Sequence, residues 1–160
     1  MEDLFNDNSN RFSEEIKEAI NGDPYRSMII NNLIIESYDH LMETHNFHPR
    51  KTGYNHCLEI SDNEGMRHGP RVKIGKTCRD TRYSSKSDII SFSEKRDASF
   101  ITDGKNADIN NKDKKLYLLF VNLNKEILLE YWYNALDMID EERAELLSKI
   151  KYPSLKDIKE

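Results

Sequence analysis

Residues 70–74 of the chain are Pro-Arg-Val-Lys-Ile, a stretch in which apolar and cationic side chains alternate. Successive side chains of a strand point to opposite faces of the sheet, so this spacing puts Val72 and Ile74 on one face. Arg71 and Lys73 fall on the other face. The stretch therefore predicts a strand with one apolar face and one cationic face.

Three further strands are predicted around this one, at residues 54–60, 88–93 and 98–102. The first is joined to residues 70–74 through Ser-Asp-Asn-Glu-Gly at 61–65, a cluster of turn-forming residues. A polar loop at 76–86 follows the cationic strand. Four short strands with short connections favour an antiparallel meander with one covered face.

Helical spacing of apolar residues flanks the predicted sheet on both sides. Before it, apolar residues from Tyr25 to Met42 follow one helical face for about five turns. This helix is expected to end near His45 to Phe47, before Pro49. After the sheet, residues 116–139 keep the same spacing, although 116–121 would also suit a buried strand.

Shorter elements are expected at the two ends of the chain. They are a loose acidic arm at 1–12, a short helix at 13–22, a short helix from Asp140 to Ile150 and a Lys-rich tail at 151–160 that frays after Pro153.

The order of these elements predicts an α+β fold in a single domain spanning 1–160. An antiparallel sheet of about four short strands is expected to pack against two long amphipathic helices, with short helices at both ends. The helical parts are expected at 13–47 and 112–150, and the sheet at 54–102.

The composition favours a cytoplasmic protein. The chain of 160 residues has 24 Lys and Arg against 29 Asp and Glu, a formal net charge of −5. Its longest apolar run, 116–121, is too short for a membrane span, and the opening Met-Glu-Asp lacks the features of a secretory signal. The two cysteines, Cys57 and Cys78, cannot build a disulfide framework and suit a reducing compartment.

The charge is unevenly distributed along the chain. Residues 66–86, here called the basic segment, hold seven cations against the single anion Asp80, a net charge of +6. Residues 1–23 hold seven anions and two cations, a net charge of −5. A cationic strand and loop can present a positive surface to phosphates, with aromatic side chains as stacking partners. The candidate binding residues are Arg67, His68, Arg71, Lys73, Lys76, Arg79, Arg82, Tyr83 and Lys86.

A second interpretation of the basic segment is a solvated strand face that pairs with the acidic N-terminal helices. The negative charge of the whole chain favours it, because dedicated nucleic-acid binders are usually basic overall. The sequence leaves both interpretations open.

Two weaker constellations concern metals. A tetrahedral zinc site can be drawn from His45, His48, Cys57 and Cys78, but the chain has no Cys-x-x-Cys pair, and Cys57 is expected to be a small core residue. An acid/base pair can be drawn from His68 and Glu64, or a nuclease-like set from Asp62, Glu64 and Lys73. Both are also what polar turns contain by chance, so no metal, cofactor or catalytic residue is predicted.

The run Tyr131-Trp132-Tyr133 cannot bury all three rings on one helical face, since consecutive residues diverge by about 100°. One ring is therefore expected to be exposed. An exposed Tyr133 is a candidate anchor for a partner, because aromatic residues are favoured at the centres of interfaces. The alternative is a ring covered by the C-terminal helix.

Two segments, His-Gly-Pro-Arg-Val-Lys-Ile at 68–74 and Leu-Leu-Glu-Tyr-Trp at 128–132, carry a resemblance. Together they resemble small uncharacterised proteins of phages and mobile elements in low-GC bacteria, over about residues 68–135. The resemblance transfers no catalytic residue. It implies a setting in which compact proteins often bind and block host machinery, including CRISPR effectors.

Three functions follow from these observations. The first is a non-enzymatic inhibitor or modulator of a host defence complex, a protein or ribonucleoprotein, in the bacterial cytosol. The second is a small RNA-binding module that uses the basic segment. The third is a metal-dependent nuclease or toxin component.

Overall fold

A five-stranded antiparallel sheet forms the centre of the α+β fold in this computed structural model, which describes residues 43–63 and 68–158. The strands follow one another in the order β1-β2-β3-β4-β5. They are β1 Thr44–Phe47, β2 Cys57–Ser61, β3 Arg71–Gly75, β4 Ser87–Ser91 and β5 Ser99–Phe100. The arm and the helices predicted before residue 43 lie outside the described residues.

The meander predicted from the sequence is confirmed, and the four predicted strands correspond to β2–β5. The strand β1 was not predicted, because Thr44–Phe47 was assigned to the end of a helix. These residues instead pair with β2, with Thr44 opposite Ser61 and Phe47 opposite Leu58. The pairing satisfies the free edge of β2 and places Phe47 in the core, where it is 1% exposed.

Four α-helices lie within the described residues, and none of them is long and apolar enough to cross a membrane. They are α1 Pro49–Thr52, α2 Asn111–Leu123, α3 Lys125–Asn134 and α4 Asp140–Ser148. Residues 116–121 are helical rather than a buried strand. The single long helix predicted over 116–139 is instead divided at Asn124 into α2 and α3, followed by a 3-10 turn at Ala135–Asp137.

The side chain of the buried Asn124 accounts for this division. Its Nδ2 donates to the carbonyls of Phe120, at 2.9 Å, and Lys151, at 2.7 Å. Its Oδ1 accepts a bond from the Lys151 amide at 2.8 Å. A side chain that competes for the carbonyl four residues back weakens the regular helical ladder, so the helix turns at this point and the chain after α4 is fastened to it.

The hydrophobic core lies between one face of the sheet and the helices α2 and α3. The sheet side chains on this face and the large aromatic residues of the helices are essentially inaccessible to solvent. They include Leu58, Ile60, Val72, Ile74 and Ile90 from the sheet, and Tyr117, Phe120, Tyr131 and Trp132 from the helices. We call this side of the sheet the core face and the opposite side the outer face.

The segment after α4 packs against the core instead of fraying as predicted. The hydroxyl of Tyr54 donates to the carbonyl of Pro153 at 2.6 Å, and Tyr152 stacks on Phe120. Burial of Tyr54 raises the pKa of its phenol well above the usual range. Residues 151–158 therefore belong to the folded structure.

A buried carboxylate organises the loop between β5 and α2. Asp88, which is inaccessible to solvent, accepts bonds from the amides of Gly104, at 3.0 Å, and Ala107, at 2.7 Å. The Thr102 hydroxyl donates to the same carboxylate at 2.7 Å. These donors compensate the loss of hydration that burial of a charge requires.

Replacing Asp88 with alanine is expected to lower the free energy of unfolding by about 3 kcal/mol, because two buried amides lose their acceptor. Urea unfolding followed by circular dichroism measures this change. The matched control is Asp137→Ala at an exposed position, which should shift stability by less than about 0.5 kcal/mol. Equal unfolding midpoints for the two variants would contradict the role of Asp88.

Candidate nucleic-acid interface

Six of the seven cations of the basic segment are described by the structure, and Arg67 lies outside the described residues. The predicted alternation of β3 is confirmed. Val72 and Ile74 are fully buried on the core face, whereas Arg71 and Lys73 are partly exposed on the outer face. The other four described cations, Lys76, Arg79, Arg82 and Lys86, lie in the loop 76–86 and are exposed.

The loop 76–86 folds back over the outer face and is attached there by a disulfide. Cys57, at the start of β2, is bonded to Cys78, with the two Cα atoms 5.0 Å apart. The expectation of two free cysteines is therefore wrong. It failed because the cysteines are 21 residues apart in sequence, and only the pairing of β2 with β3 brings them together.

The contact between the loop and the sheet depends on Gly75, which lies opposite Cys57 on β3. A Cβ atom at this position would lie 2.8 Å from the carbonyl oxygen of Thr77 and 2.9 Å from the amide nitrogen of Thr81. Both neighbours are backbone atoms and cannot rotate away. Gly75 thus permits the chain to return across its own strand immediately after β3 ends.

A buried hydrogen bond fixes the centre of the loop. The Thr81 hydroxyl donates to Oε2 of Glu59 at 2.7 Å, and Thr81 is fully buried. Glu59 lies on the outer face of β2, directly across from Lys73 in the register, and is only 8% exposed. The loop therefore covers the outer face of β2 and supplies a donor to the carboxylate that it buries.

The cations that this arrangement displays have no anionic partners within the described part of the chain. None of Arg71, Lys73 and the four loop cations forms an ion pair with a carboxylate there. Tyr83 is 47% exposed, and the Lys86 ammonium lies over its ring, 5.5 Å from the centroid. The two cations of β3 and the loop that carries the other four cations and the exposed ring thus lie on the outer side of the sheet.

His68, the second predicted stacking partner, is placed elsewhere. Its ring lies against Trp132 of α3, with centroids 5.6 Å apart, and its Nδ1 is 2.8 Å from the Gly69 carbonyl. Trp132 belongs to the core. The structure therefore groups His68 with α3 rather than with the cations of the loop.

Tyr133 is the exposed ring of the aromatic run, as predicted. It is 57% exposed, whereas Tyr131 and Trp132 are almost completely buried. A surface groove of about 420 Å³ lies beside it, lined by Glu94, Lys125, Glu126, Leu129, Glu130 and Tyr133. This groove is predominantly acidic, so Tyr133 belongs to a surface of different character from the basic segment.

The structure does not assemble the zinc constellation drawn from the sequence. The two cysteines are bonded to each other, and His48 Nδ1 instead accepts a bond from the Arg50 amide as the cap of α1. No group of three potential ligands that could hold a metal is present among the described residues. Of the nuclease-like set, Asp62 is buried and accepts a bond from the Glu43 amide at 3.1 Å, and Glu64 lies outside the described residues.

His45, the remaining member of the zinc constellation drawn from the sequence, lies on β1 with its ring packed against Phe47, 4.9 Å between centroids. Burial lowers the pKa of its imidazole, and the nearby charge of Lys51 lowers it further. It borders a pocket of about 370 Å³ that also contains Tyr131 and Arg143.

The sequence did not predict a buried hydrogen-bonded pair formed by His56 and Tyr117. His56 Nε2 donates to the Ala107 carbonyl at 2.9 Å, and the Tyr117 hydroxyl donates to His56 Nδ1 at 2.6 Å. Burial, and then the charge of Asp113, raise the pKa of Tyr117. Both side chains have their polar atoms satisfied inside the fold, so the pair fastens β2 to α2.

Comparisons of this chain with protein-family models, with curated proteins and with solved structures give no match.

The Gly75→Ala variant is expected to lower the free energy of unfolding by about 1–3 kcal/mol and to loosen the loop 76–86, because a methyl group at this position overlaps backbone atoms. Thermal unfolding and amide hydrogen exchange measure the two effects. Gly69→Ala is the matched control, since no atom lies within 4 Å of its added Cβ. An equal response of the two variants would show that close packing at Gly75 is unimportant.

Proposed function

We propose that this protein is a non-enzymatic binding protein that engages RNA through its basic segment. The observation that carries the proposal is the set of six cations on β3 and the loop 76–86, none of which is paired with a carboxylate of the described residues. Cations that have no carboxylate partner among the described residues and lie on one side of a fold attract phosphates and release condensed counterions when they bind.

The shape of the surface supports a single-stranded ligand. The exposed ring of Tyr83, with the Lys86 ammonium over one of its faces, offers its other face for stacking next to cations. Proteins that bind single-stranded nucleic acid without base readout combine these two features. Over residues 68–86, the part of the basic segment that the structure describes, the chain forms no helix suited to the major groove of a duplex, only a 3-10 turn at Asp80–Arg82.

The negative charge of the whole chain is compatible with this function because the charge is segregated. Residues 68–86 carry six cations and one anion, whereas residues 137–145 carry five anions and one cation. At physiological ionic strength the Debye length is about 8 Å, so each region acts on a ligand mainly through its own local charge.

The resemblance to phage and mobile-element proteins leads to a separate prediction about the biological role of this protein. It is a phage or mobile-element protein that inhibits a CRISPR effector or another host defence complex in the bacterial cytosol. An RNA-binding surface fits that setting if the target is a ribonucleoprotein, because the RNA component then provides the phosphates. Affinity capture from a CRISPR-bearing low-GC bacterial lysate, with sequencing of the retained RNA and identification of the retained proteins, tests this prediction separately.

The direct test of RNA binding is fluorescence anisotropy with a labelled oligouridine over a range of salt concentrations. We expect binding at low salt that weakens steeply as salt rises. The double variant Arg79→Glu/Arg82→Glu should reduce affinity by about tenfold or more and lower the salt slope by about two. Arg71→Glu/Lys73→Glu on the strand should act in the same direction.

The matched control is Lys112→Glu/Lys115→Glu, which makes the same charge change at exposed positions on α2. It should leave the affinity within about twofold of the original protein, since it is outside the proposed surface. The proposal is overturned if the original protein does not bind oligouridine at low salt, or if the control weakens binding as much as the loop variant does.

A further inference from the structure

The two ends of the disulfide lie in different surroundings. Cys57 is fully buried on the outer face of β2. Cys78 is partly exposed in the loop, two residues before the 3-10 turn at Asp80–Arg82. A thiolate from solution therefore reaches Cys78 first, with Cys57 as the group that leaves.

The disulfide joins the sheet to the proposed binding surface rather than joining parts of the core. The strands β2 and β3 are already paired by backbone hydrogen bonds, and the core of the described part of the chain is formed by twenty buried apolar residues without the cysteines. The loop 76–86, by contrast, contributes no residue to that core. It therefore depends on a small number of specific contacts for its position.

Hydrogen bonds hold both parts of the loop when the disulfide is removed, but unevenly. At the end of the loop the Ser87 hydroxyl bond to the Tyr83 carbonyl, at 2.9 Å, and the Asn106 amide bond to the Ser84 carbonyl, at 3.4 Å, would remain. Before them, the Thr81 hydroxyl bond to Glu59 and the short 3-10 turn at Asp80–Arg82 would remain. Three of the four loop cations lie in the segment 76–82 and repel one another. The order of this segment therefore depends on the disulfide together with the buried Thr81.

We propose that Cys57–Cys78 is a thiol-exchange site that regulates the basic segment. In the oxidised state the loop is fixed and its cations are preorganised for phosphates. In the reduced state the segment 76–82 gains conformational freedom, which must be lost again when RNA binds, so the affinity falls. This inference rests on the proposed RNA-binding function.

The chemistry requires a dithiol reductant of the kind that reduces protein disulfides. Its thiolate attacks the sulfur of Cys78, forming a mixed disulfide while the Cys57 sulfur leaves as a thiolate and takes up a proton. The second thiol of the reductant then attacks the mixed disulfide and releases Cys78 as a thiol. Two electrons pass to the protein, and the reductant becomes a disulfide. Exchange with a disulfide oxidant reverses both steps.

The test compares the oxidised and reduced forms of the same protein. Binding of a labelled oligouridine is measured by anisotropy after treatment with oxidised glutathione, after treatment with dithiothreitol, and after reoxidation. We expect the affinity to fall about tenfold on reduction and to return on reoxidation. The double variant Cys57→Ser/Cys78→Ser should bind like the reduced protein and should not respond to dithiothreitol.

Amide hydrogen exchange of residues 76–82 supplies an independent readout that needs no RNA. Exchange should become faster in the reduced protein and in the double variant, while exchange in β2 and β3 stays slow. Equal RNA affinities in the two redox states, or unchanged exchange at 76–82, overturn the regulatory inference. Oligouridine binding in neither state, together with faster exchange at 76–82 on reduction, overturns the proposed RNA-binding function. That result still supports the part of the inference in which the disulfide orders the loop.

Discussion

The strand β2 is buried on both of its faces, and the positions of the helices and of the loop 76–86 depend on this burial. On the core face, Leu58 and Ile60 need only apolar neighbours, and the helices provide them. On the outer face the strand buries Glu59, a carboxylate that must receive a hydrogen bond. The loop 76–86 supplies that bond through Thr81 and can approach closely because Gly75 has no side chain. The position of the cations is a consequence of this covering.

A loop that carries several like charges is an unusual cover for a buried strand. Repulsion among the cations favours an open loop, and the loop adds little apolar area to offset this tendency. The disulfide acts in the opposite direction, because it holds Cys78 against Cys57 at the start of β2. Added salt weakens the repulsion among the cations. Ionic strength and thiol redox state therefore both shift the equilibrium between the open and the closed loop.

The parts of the fold that could be predicted from sequence are those with a strong local pattern. The alternation in β3 and the long helical periodicity of residues 116–139 each identify an element, because burial on one face leaves a regular spacing. Thr44–Phe47 has no such pattern and becomes a strand only because β2 offers an unpaired edge. Three other features depend on contacts between residues that are distant in sequence, so no local pattern predicts them. They are the Asn124–Lys151 bonds at the division between α2 and α3, the disulfide, and the Thr81–Glu59 bond. The sequence therefore predicted which cations belong to the candidate surface, but not the contacts that attach the loop 76–86 to the sheet.

The two hydrogen bonds between Asn124 and Lys151 bring together the ends of the segment 125–150. Within that segment α3 contributes Leu128, Tyr131 and Trp132 to the core, whereas the last helix, α4, has no fully buried residue and packs only Leu146 and Leu147 partly against the core. Because the side chain of Asn124 fixes the return point, the position of Lys151 does not rest on the packing of α4 alone. The exposed face of α4 is therefore the part of this segment that best accepts surface substitutions, and a suitable place to attach a spectroscopic label.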